Sequence, residues 1–349
     1  MTDQLQISTD GHLGRIVLNR PKAINALSLE MIAGITAALR DWADDPAIGA
    51  VLFTGNGEKG FCSGGDVRAA RVHVVAGQPE RADAYFAAEY EMNGLIAGYA
   101  KPTIALSHGI VMGGGIGIAG HCRFRFTQAG ARFAMPEAAI GFFTDVGVNA
   151  ILTKAPLERA LLFAMSGVSV GAADAIKLGL ADAAIAPDTA AGLVSELAGV
   201  AGSTDPAQAI VRLMEAGTVE VGATPFCDQA DLIGGGPVSS AAQFVGRVSN
   251  VPALAEIAKT LATRSPTALT AIFEAHMGAR TLMSVEGTLK MDLRLARLLA
   301  RLPDFAEGVR AVLVDKDQAP KWSPRDIAEV DRGDIIAAVK GAPQAGRSA

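Results

Sequence analysis

Cysteine is scarce in this sequence, and the scarcity excludes two kinds of protein. Cys62, Cys122 and Cys227 are odd in number and widely spaced, which fits neither a disulfide framework nor the close pairs of a structural zinc site. A reducing, cytoplasmic setting is therefore expected. The histidines His12, His73, His108, His121 and His276 show no ligand spacing either, so no metal is expected. An excess of one charge sign is also missing: 31 basic residues stand against 36 acidic ones, a net charge of −5. Such a chain has no field to draw nucleic acid or an anionic membrane, and any anionic ligand must be held by a local site. Long hydrophobic runs are absent. The most apolar window, residues 104–120, contains a histidine and six glycines and makes a poor membrane span. The opening MTDQLQ has neither a basic nor an apolar stretch, so no secretory signal is expected. Aromatic residues are few, at 5% of a chain that is 50% apolar. Much of the apolar content is alanine, which with abundant glycine favours close backbone packing. With 349 residues, one large domain or two can form.

What is present concentrates in residues 101–147. Three consecutive glycines, Gly113 to Gly115, are followed by Glu137 and Asp145 among the apolar Met135, Ile140, Phe142 and Phe143. Bare backbone lets N–H groups approach a ligand, and a helix beginning there adds partial positive charge, which suits an oxygen that becomes negative during reaction. Carboxylates with apolar neighbours are costly to desolvate, so they point to chemistry. A second glycine-rich loop, residues 55–68, ends in Gly64-Gly65-Asp66. It is open to two readings, a tight turn or a second stretch of ligand-facing backbone.

In chain order, residues 4–19 alternate around Asp10-Gly11 as a hairpin does. Ser28 is expected to cap a helix carrying Ile32, Ile35, Leu39 and Trp42, and residues 49–55 read as a buried strand. Residues 81–99 read as a helix with Phe86, Asn93 and Ile96 on one face, where Glu89 also falls. Residues 103–106 and 123–126 read as strands. Ser169 is expected to cap a helix closed at Gly179. Residues 200–250 show weak periodicity and read as a linker-like insertion. Ser265-Pro266 starts a helix, and residues 284–302 form another, with leucines in ordinary packing roles.

Gly115, Gly117 and Gly120 match the dinucleotide fingerprint G-x-G-x-x-G. That motif needs a substantial helix after it. Here strand-like alternation returns within a few residues, which argues against a nicotinamide-binding domain. The loop FCSGGDVR (61–68), the segment HGIVMGGGIGIA (108–119) and FAMPEAAIGFFTDVG (133–147) together resemble the crotonase, or enoyl-CoA hydratase, superfamily. Within it they look most like the branch of 3-hydroxyisobutyryl-CoA hydrolases. YFAAEYEMN (85–93), KPTIALSHG (101–109) and the tail DFAEGVRAVLVDKDQAPKW (304–322) extend the resemblance over nearly the whole chain.

The resemblance implies an α/β fold: a crotonase-type ββα spiral core over residues 1–200, and a helical C-terminal region over residues 201–349. It implies that the N–H groups of Gly65 and Gly114 hold a thioester oxygen, each such donor contributing roughly 2.7–4 kcal/mol. Coenzyme A, which enters only as part of the substrate, is expected on Lys22, Ala23, Asn25, Ala26, Ser63, Gly64, Gly65 and Asp66. No other cofactor is implied. A hydratase of this family brackets water with two glutamates, one of them three residues after the middle glycine. This chain has Gly117 there and keeps only the second, Glu137. Hydration by two carboxylates is therefore disfavoured. Thioester hydrolysis is supported, with Glu137 as nucleophile or general base, Asp145 orienting either Glu137 or the substrate hydroxyl, and Glu89 accepting a hydrogen bond from that hydroxyl. The family's FPDVGG reads FTDVGV here, with Thr144 and Val148 as departures. A local reading of Asp145 as a helix cap stays open. An enoyl-CoA hydratase or isomerase and an idle acyl-CoA-binding module are the alternatives, and both a monomer and a homo-oligomer are open.

Overall fold

The structure is a computed structural model that describes residues 3–342. It divides into two compact units, each assembled from separate segments. The first takes in the chain up to Gly65, Glu91–Phe133 and Ser169–Thr224; the second takes in Asp66–Tyr90, Ala134–Val168 and the chain from Pro225 onward.

The first unit is built on strands β1 (Leu5–Asp10), β2 (Leu13–Leu18), β3 (Ala50–Gly55), β4 (Gly60–Cys62), β5 (Thr103–Ser107), β6 (Ile110–Met112), β7 (Phe124–Gln128), β8 (Arg132–Ala134), β9 (Val170–Gly171) and β10 (Ala183–Ile185). They form a six-stranded sheet in the order β1-β2-β3-β5-β7-β10 and a four-stranded one in the order β4-β6-β8-β9. After the opening antiparallel hairpin, the larger sheet is parallel throughout. Successive strand pairs, β3 with β4, β5 with β6 and β7 with β8, each send one strand to either sheet, with helices between pairs. This is the repeated ββα order that the resemblance implies. The hairpin turn contains Gly11 at φ +57, a left-handed conformation that glycine accepts freely.

One face of the larger sheet carries Ala50 and Leu52, Ile104 and Leu106, Phe124 and Phe126, and Ala183 and Ile185, a period of two on each strand. Leu193, Leu197 and Ile210 pack on it from helices Ala190–Val200 and Pro206–Gly217. The reading of residues 200–250 as a linker is thus corrected. Helices Pro206–Gly217, Pro225–Asp231 and Ala241–Ser249 occupy that stretch, the first and third capped by Asp205 and Ser240. Ser169 is also corrected. The helix there runs Ala172–Lys177 with Gly171 at its N-cap, because Val170 and Gly171 are drawn into antiparallel pairing with Phe133 and Arg132.

In the second unit helix Pro266–Leu282, capped by Ser265, packs against helices Leu157–Ser166, Val148–Leu152 and Val285–Leu299. The sparse aromatic residues gather here. Phe142 has its ring centroid 5.1 Å from Phe86, 5.0 Å from Phe143 and 5.4 Å from Phe305, and such ring pairs add stabilisation beyond the area they bury. Among the described residues no helix is long and apolar enough to cross a membrane.

Candidate active site

Two sets of residues come together, one within each unit. In the first unit β4 leads into Ser63-Gly64-Gly65. The Leu27 N–H donates to Gly64 O at 2.8 Å, and the Ser63 N–H donates to Ile24 O at 2.9 Å. The expected coenzyme A segments therefore lie side by side. Lys22 and Ala23 are exposed on the turn Pro21–Ala23, and Ser63 Oγ donates to Ala23 O at 3.1 Å. Asn25 differs from them: it is fully buried and its amide is committed to backbone. Its Nδ2 donates to Asn56 O, Gly60 O and Phe61 O, and its Oδ1 accepts from the Arg20 N–H. Asn25 thus holds the turn that presents its neighbours.

The glycine runs have a steric cause. A Cβ on Gly115 would lie 2.5 Å from Cys62 O, so only glycine lets the helix Gly114–His121 sit against β4. Gly64 has φ +108, and a Cβ there would meet Met112 O at 3.3 Å and Gly114 N at 3.5 Å. Of the two readings of residues 55–68 the structure shows the tight turn, which brings the Gly64 backbone against the start of that helix. The Gly114 N–H belongs to a first turn, where donors have no intrahelical partner and the helix dipole is positive.

The second unit gathers carboxylates. Glu89 and Tyr90 stand on helix Pro79–Ala97, Glu137 opens a 3-10 turn ending at Ile140, and Asp145 lies on the loop after it. All four side chains are buried. The Tyr90 hydroxyl donates to Asp145 Oδ2 at 2.6 Å. The cap reading of Asp145 is thereby overturned, since the next helix starts only at Val148 with Gly147 at its N-cap. Between them Val146 has φ 51 and Gly147 φ 74. A β-branched residue in the left-handed region is strained, at a cost of about 1–3 kcal/mol, and strain of this kind is kept where geometry matters. Glu89 Oε1 and Glu137 Oε2 are buried with no hydrogen-bond partner among the described residues.

Burial dominates the electrostatics. It pushes Asp145 up to about 7, while the Tyr90 hydroxyl and Asp145's own backbone N–H hold it down. Burial, and then the Asp145 charge, push Glu89 and Glu137 well above the usual carboxylate range. The first negative charge of the cluster therefore rests on Asp145, and it opposes ionisation of its neighbours. Burial also raises Tyr90, so the phenol keeps its proton and donates.

A carboxyl whose folded pKa is raised stabilises the fold below its unfolded pKa and loses that contribution as pH rises through the folded value. For Asp145 the window runs from an unfolded value of about 3.9 to about 7. Asp145→Asn, which carries no charge, should therefore gain stability over wild type as pH rises. The gain should be larger at pH 8 than at pH 5 by roughly 2–3 kcal/mol. Denaturant melts at the two pH values measure it, and an equal gain at both would mean that Asp145 is not buried as described.

Two residues of this cluster were not anticipated from the sequence. Tyr90 passes for an ordinary core aromatic. Asp292, on helix Val285–Leu299, is fully buried and accepts the Gly147 N–H on Oδ2 at 2.8 Å. Its signal was its place on the apolar stripe, three residues from both Leu289 and Leu295.

A model of the enoyl-CoA hydratase/isomerase family matches residues 13–339. The chain belongs to this family. It is 37% identical over 329 residues to a mitochondrial 3-hydroxyisobutyryl-CoA hydrolase of Danio rerio, covering 92% of this chain and 85% of that protein. To the protein of the same description from Homo sapiens it is 33% identical, covering 95% and 87%. Among solved structures, a carnitinyl-CoA dehydratase from Mycobacterium thermoresistibile superposes with a TM-score of 0.87 at 34% identity, covering 98% of this chain and 97% of that one. An enoyl-CoA hydratase from Rhodobacter sphaeroides 2.4.1 gives 0.85 at 30% identity, covering 97% of each. This family member thus has the α/β fold that the resemblance implies.

Proposed function

We propose that this chain hydrolyses a 3-hydroxyacyl-CoA thioester, converting 3-hydroxyisobutyryl-CoA to 3-hydroxyisobutyrate and coenzyme A, a step of valine breakdown. The observation that carries the reading is the pair formed by Glu137 and Gly117. One position holds a buried carboxylate with an unpartnered oxygen, and the other has no side chain at all. Hydration of a double bond moves a proton to carbon while a hydroxyl adds, and the family's route uses two carboxylates for it. Hydrolysis of a thioester needs one base or nucleophile, since a thiol of pKa about 8.5 leaves without strong acid assistance.

In this reading the Gly65 and Gly114 N–H groups take the negative charge that develops on the thioester oxygen. Glu137 either attacks the carbonyl, giving an anhydride that water then opens, or takes a proton from an attacking water. In each case the C–S bond breaks and coenzyme A leaves as the thiolate. A poorly solvated carboxylate, once ionised, serves in both roles as a strong base and nucleophile. Asp145 and Glu89 receive the 3-hydroxyl. The steps are proton and acyl transfers, so the proposal includes no metal or redox cofactor. The compartment we infer is a reducing one, the cytoplasm, consistent with three buried cysteines, none of them in a disulfide.

A second reading, hydration or dehydration of the acyl chain, draws on the two structural relatives described as a dehydratase and a hydratase. Gly117 opposes it. Incubating the purified chain with 3-hydroxyisobutyryl-CoA and capturing free thiol tests the proposal. Saturable thiol release is the expected result, and binding without release would leave an idle acyl-CoA-binding module instead.

A further inference from the structure

Asp292 is a carboxylate with no access to solvent, set among the buried Leu289, Met291, Leu295 and Leu299 of its helix. Acidic side chains are almost never placed so without a task. Its Oδ2 accepts the Gly147 N–H at 2.8 Å, and its Oδ1 has no hydrogen-bond partner among the described residues. Gly147 is the second of two consecutive left-handed residues, and the first, Val146, is β-branched. Asp145 immediately precedes them. On the near side of the turn, Thr144 Oγ1 donates to Ala164 O at 3.0 Å and Thr144 O accepts from Asn149 Nδ2 at 2.7 Å. Asn149 Oδ1 in turn lies 3.2 Å from His276 Nδ1. On the far side the Gly147 N–H donates to Asp292, and the Val148 N–H donates across the turn to Asp145 O at 3.1 Å.

We infer that Asp292 is a positioning residue: by holding the Gly147 N–H it keeps the strained Val146-Gly147 turn closed and so aims the Asp145 carboxylate at the Tyr90 hydroxyl. Without that contact the Val148 N–H bond to Asp145 O would be left to hold the turn as its left-handed residues relax toward right-handed backbone, and the Asp145 carboxylate would lose its aim. The role needs an acceptor at this position and no charge. Burial pushes the Asp292 carboxyl above its ordinary range, with the Asp145 charge adding to the shift and the Gly147 N–H and Arg294 opposing it, so a neutral amide should do the same work. The inference rests on the proposed hydrolase reading only for what Asp145 does to substrate; the geometric claim stands apart from it.

The chain has three tyrosines, Tyr85, Tyr90 and Tyr99, so tyrosine labelled with 13C at Cζ gives a simple spectrum in which Tyr90→Phe assigns one signal. In wild type the Tyr90 signal should move with pH near 7 as its partner Asp145 ionises. Around Asp145 the titratable groups are Glu89 and Tyr90 on helix Pro79–Ala97, Glu137 on its 3-10 turn and Asp292 on helix Val285–Leu299, with Arg294 next to Asp292. Asp292→Asn should keep the Tyr90 titration and keep kcat for thiol release close to wild type. Asp292→Leu should abolish the titration and lower kcat by roughly 10²-fold with KM little changed. A Leu variant that folds and still shows the wild-type Tyr90 titration overturns the inference. Should the Leu variant not fold, the Asn variant decides, because loss of its Tyr90 titration would show that an acceptor does not suffice. If wild type releases no thiol, the hydrolase proposal fails while the Tyr90 readout still reports on Asp292.

Discussion

Glu137→Gln is expected to lower kcat for thiol release from 3-hydroxyisobutyryl-CoA by roughly 10³–10⁴-fold, with substrate affinity changed little. Glutamine keeps the volume and the hydrogen-bonding outline of the side chain, so the buried apolar residues near it in sequence, Met135, Phe142 and Phe143, should stay packed. It cannot accept a proton at neutral pH and cannot form an anhydride. Both routes through Glu137 are removed together, and what remains is oxyanion stabilisation and binding, which alone give residual catalysis. An amide is also not repelled by the Asp145 charge, which opposes ionisation of Glu137. The variant should accordingly fold at least as well as wild type at pH 8. Steady-state kinetics with thiol capture, set beside a binding titration, decide the matter. Activity within tenfold of wild type would remove Glu137 from the chemistry and leave the cluster without its central base.

The second large effect concerns the substrate hydroxyl. Wild type should prefer 3-hydroxyisobutyryl-CoA over isobutyryl-CoA by about 10⁴-fold in kcat/KM, the discrimination available to a site whose buried polar groups are left unpaired by the wrong substrate. Glu89 has the properties for this: it is buried on the inward face of its helix, Oε1 is unpartnered, and burial raises its pKa so that a neutral carboxyl can both accept and donate. In Glu89→Leu the preference should fall to about 10²-fold or less, through loss of activity on the hydroxylated substrate and unchanged or improved activity on isobutyryl-CoA. Equal losses on both substrates would place Glu89 in structural support rather than in recognition.

The parts of the site legible in the sequence are those whose chemistry is local. Missing side chains at Gly64, Gly65 and Gly113 to Gly115 declare bare backbone wherever they fall, and the structure shows the reason at Gly115, where any Cβ would strike Cys62 O. Glu137, Asp145 and Glu89 stand out because each interrupts an apolar pattern. The hairpin and the Ser28 and Ser265 helix starts were also readable, since caps and turns act over three or four residues. Asp292 was not, because its task lies in a hydrogen bond to a residue 145 positions away. Ser169 looked like a cap until sheet pairing of Val170 and Gly171, a non-local interaction, took the backbone it needed. Helix Pro206–Gly217 hid among small residues for a related reason: Ile210 is its anchor on the parallel sheet, and tertiary packing rather than propensity stabilises helices of this length.

The central claim is that a family member with Gly117 in place of an acid cleaves thioesters and does not hydrate double bonds. One assay reads both outcomes: the purified chain is given 3-hydroxyisobutyryl-CoA and crotonyl-CoA in parallel, and free thiol and enoyl absorbance are followed together. Thiol release from the hydroxylated thioester, with the enoyl absorbance of crotonyl-CoA unchanged, is the predicted result. Loss of enoyl absorbance without thiol release would contradict it, for Glu137 would then be supporting hydration without a second glutamate.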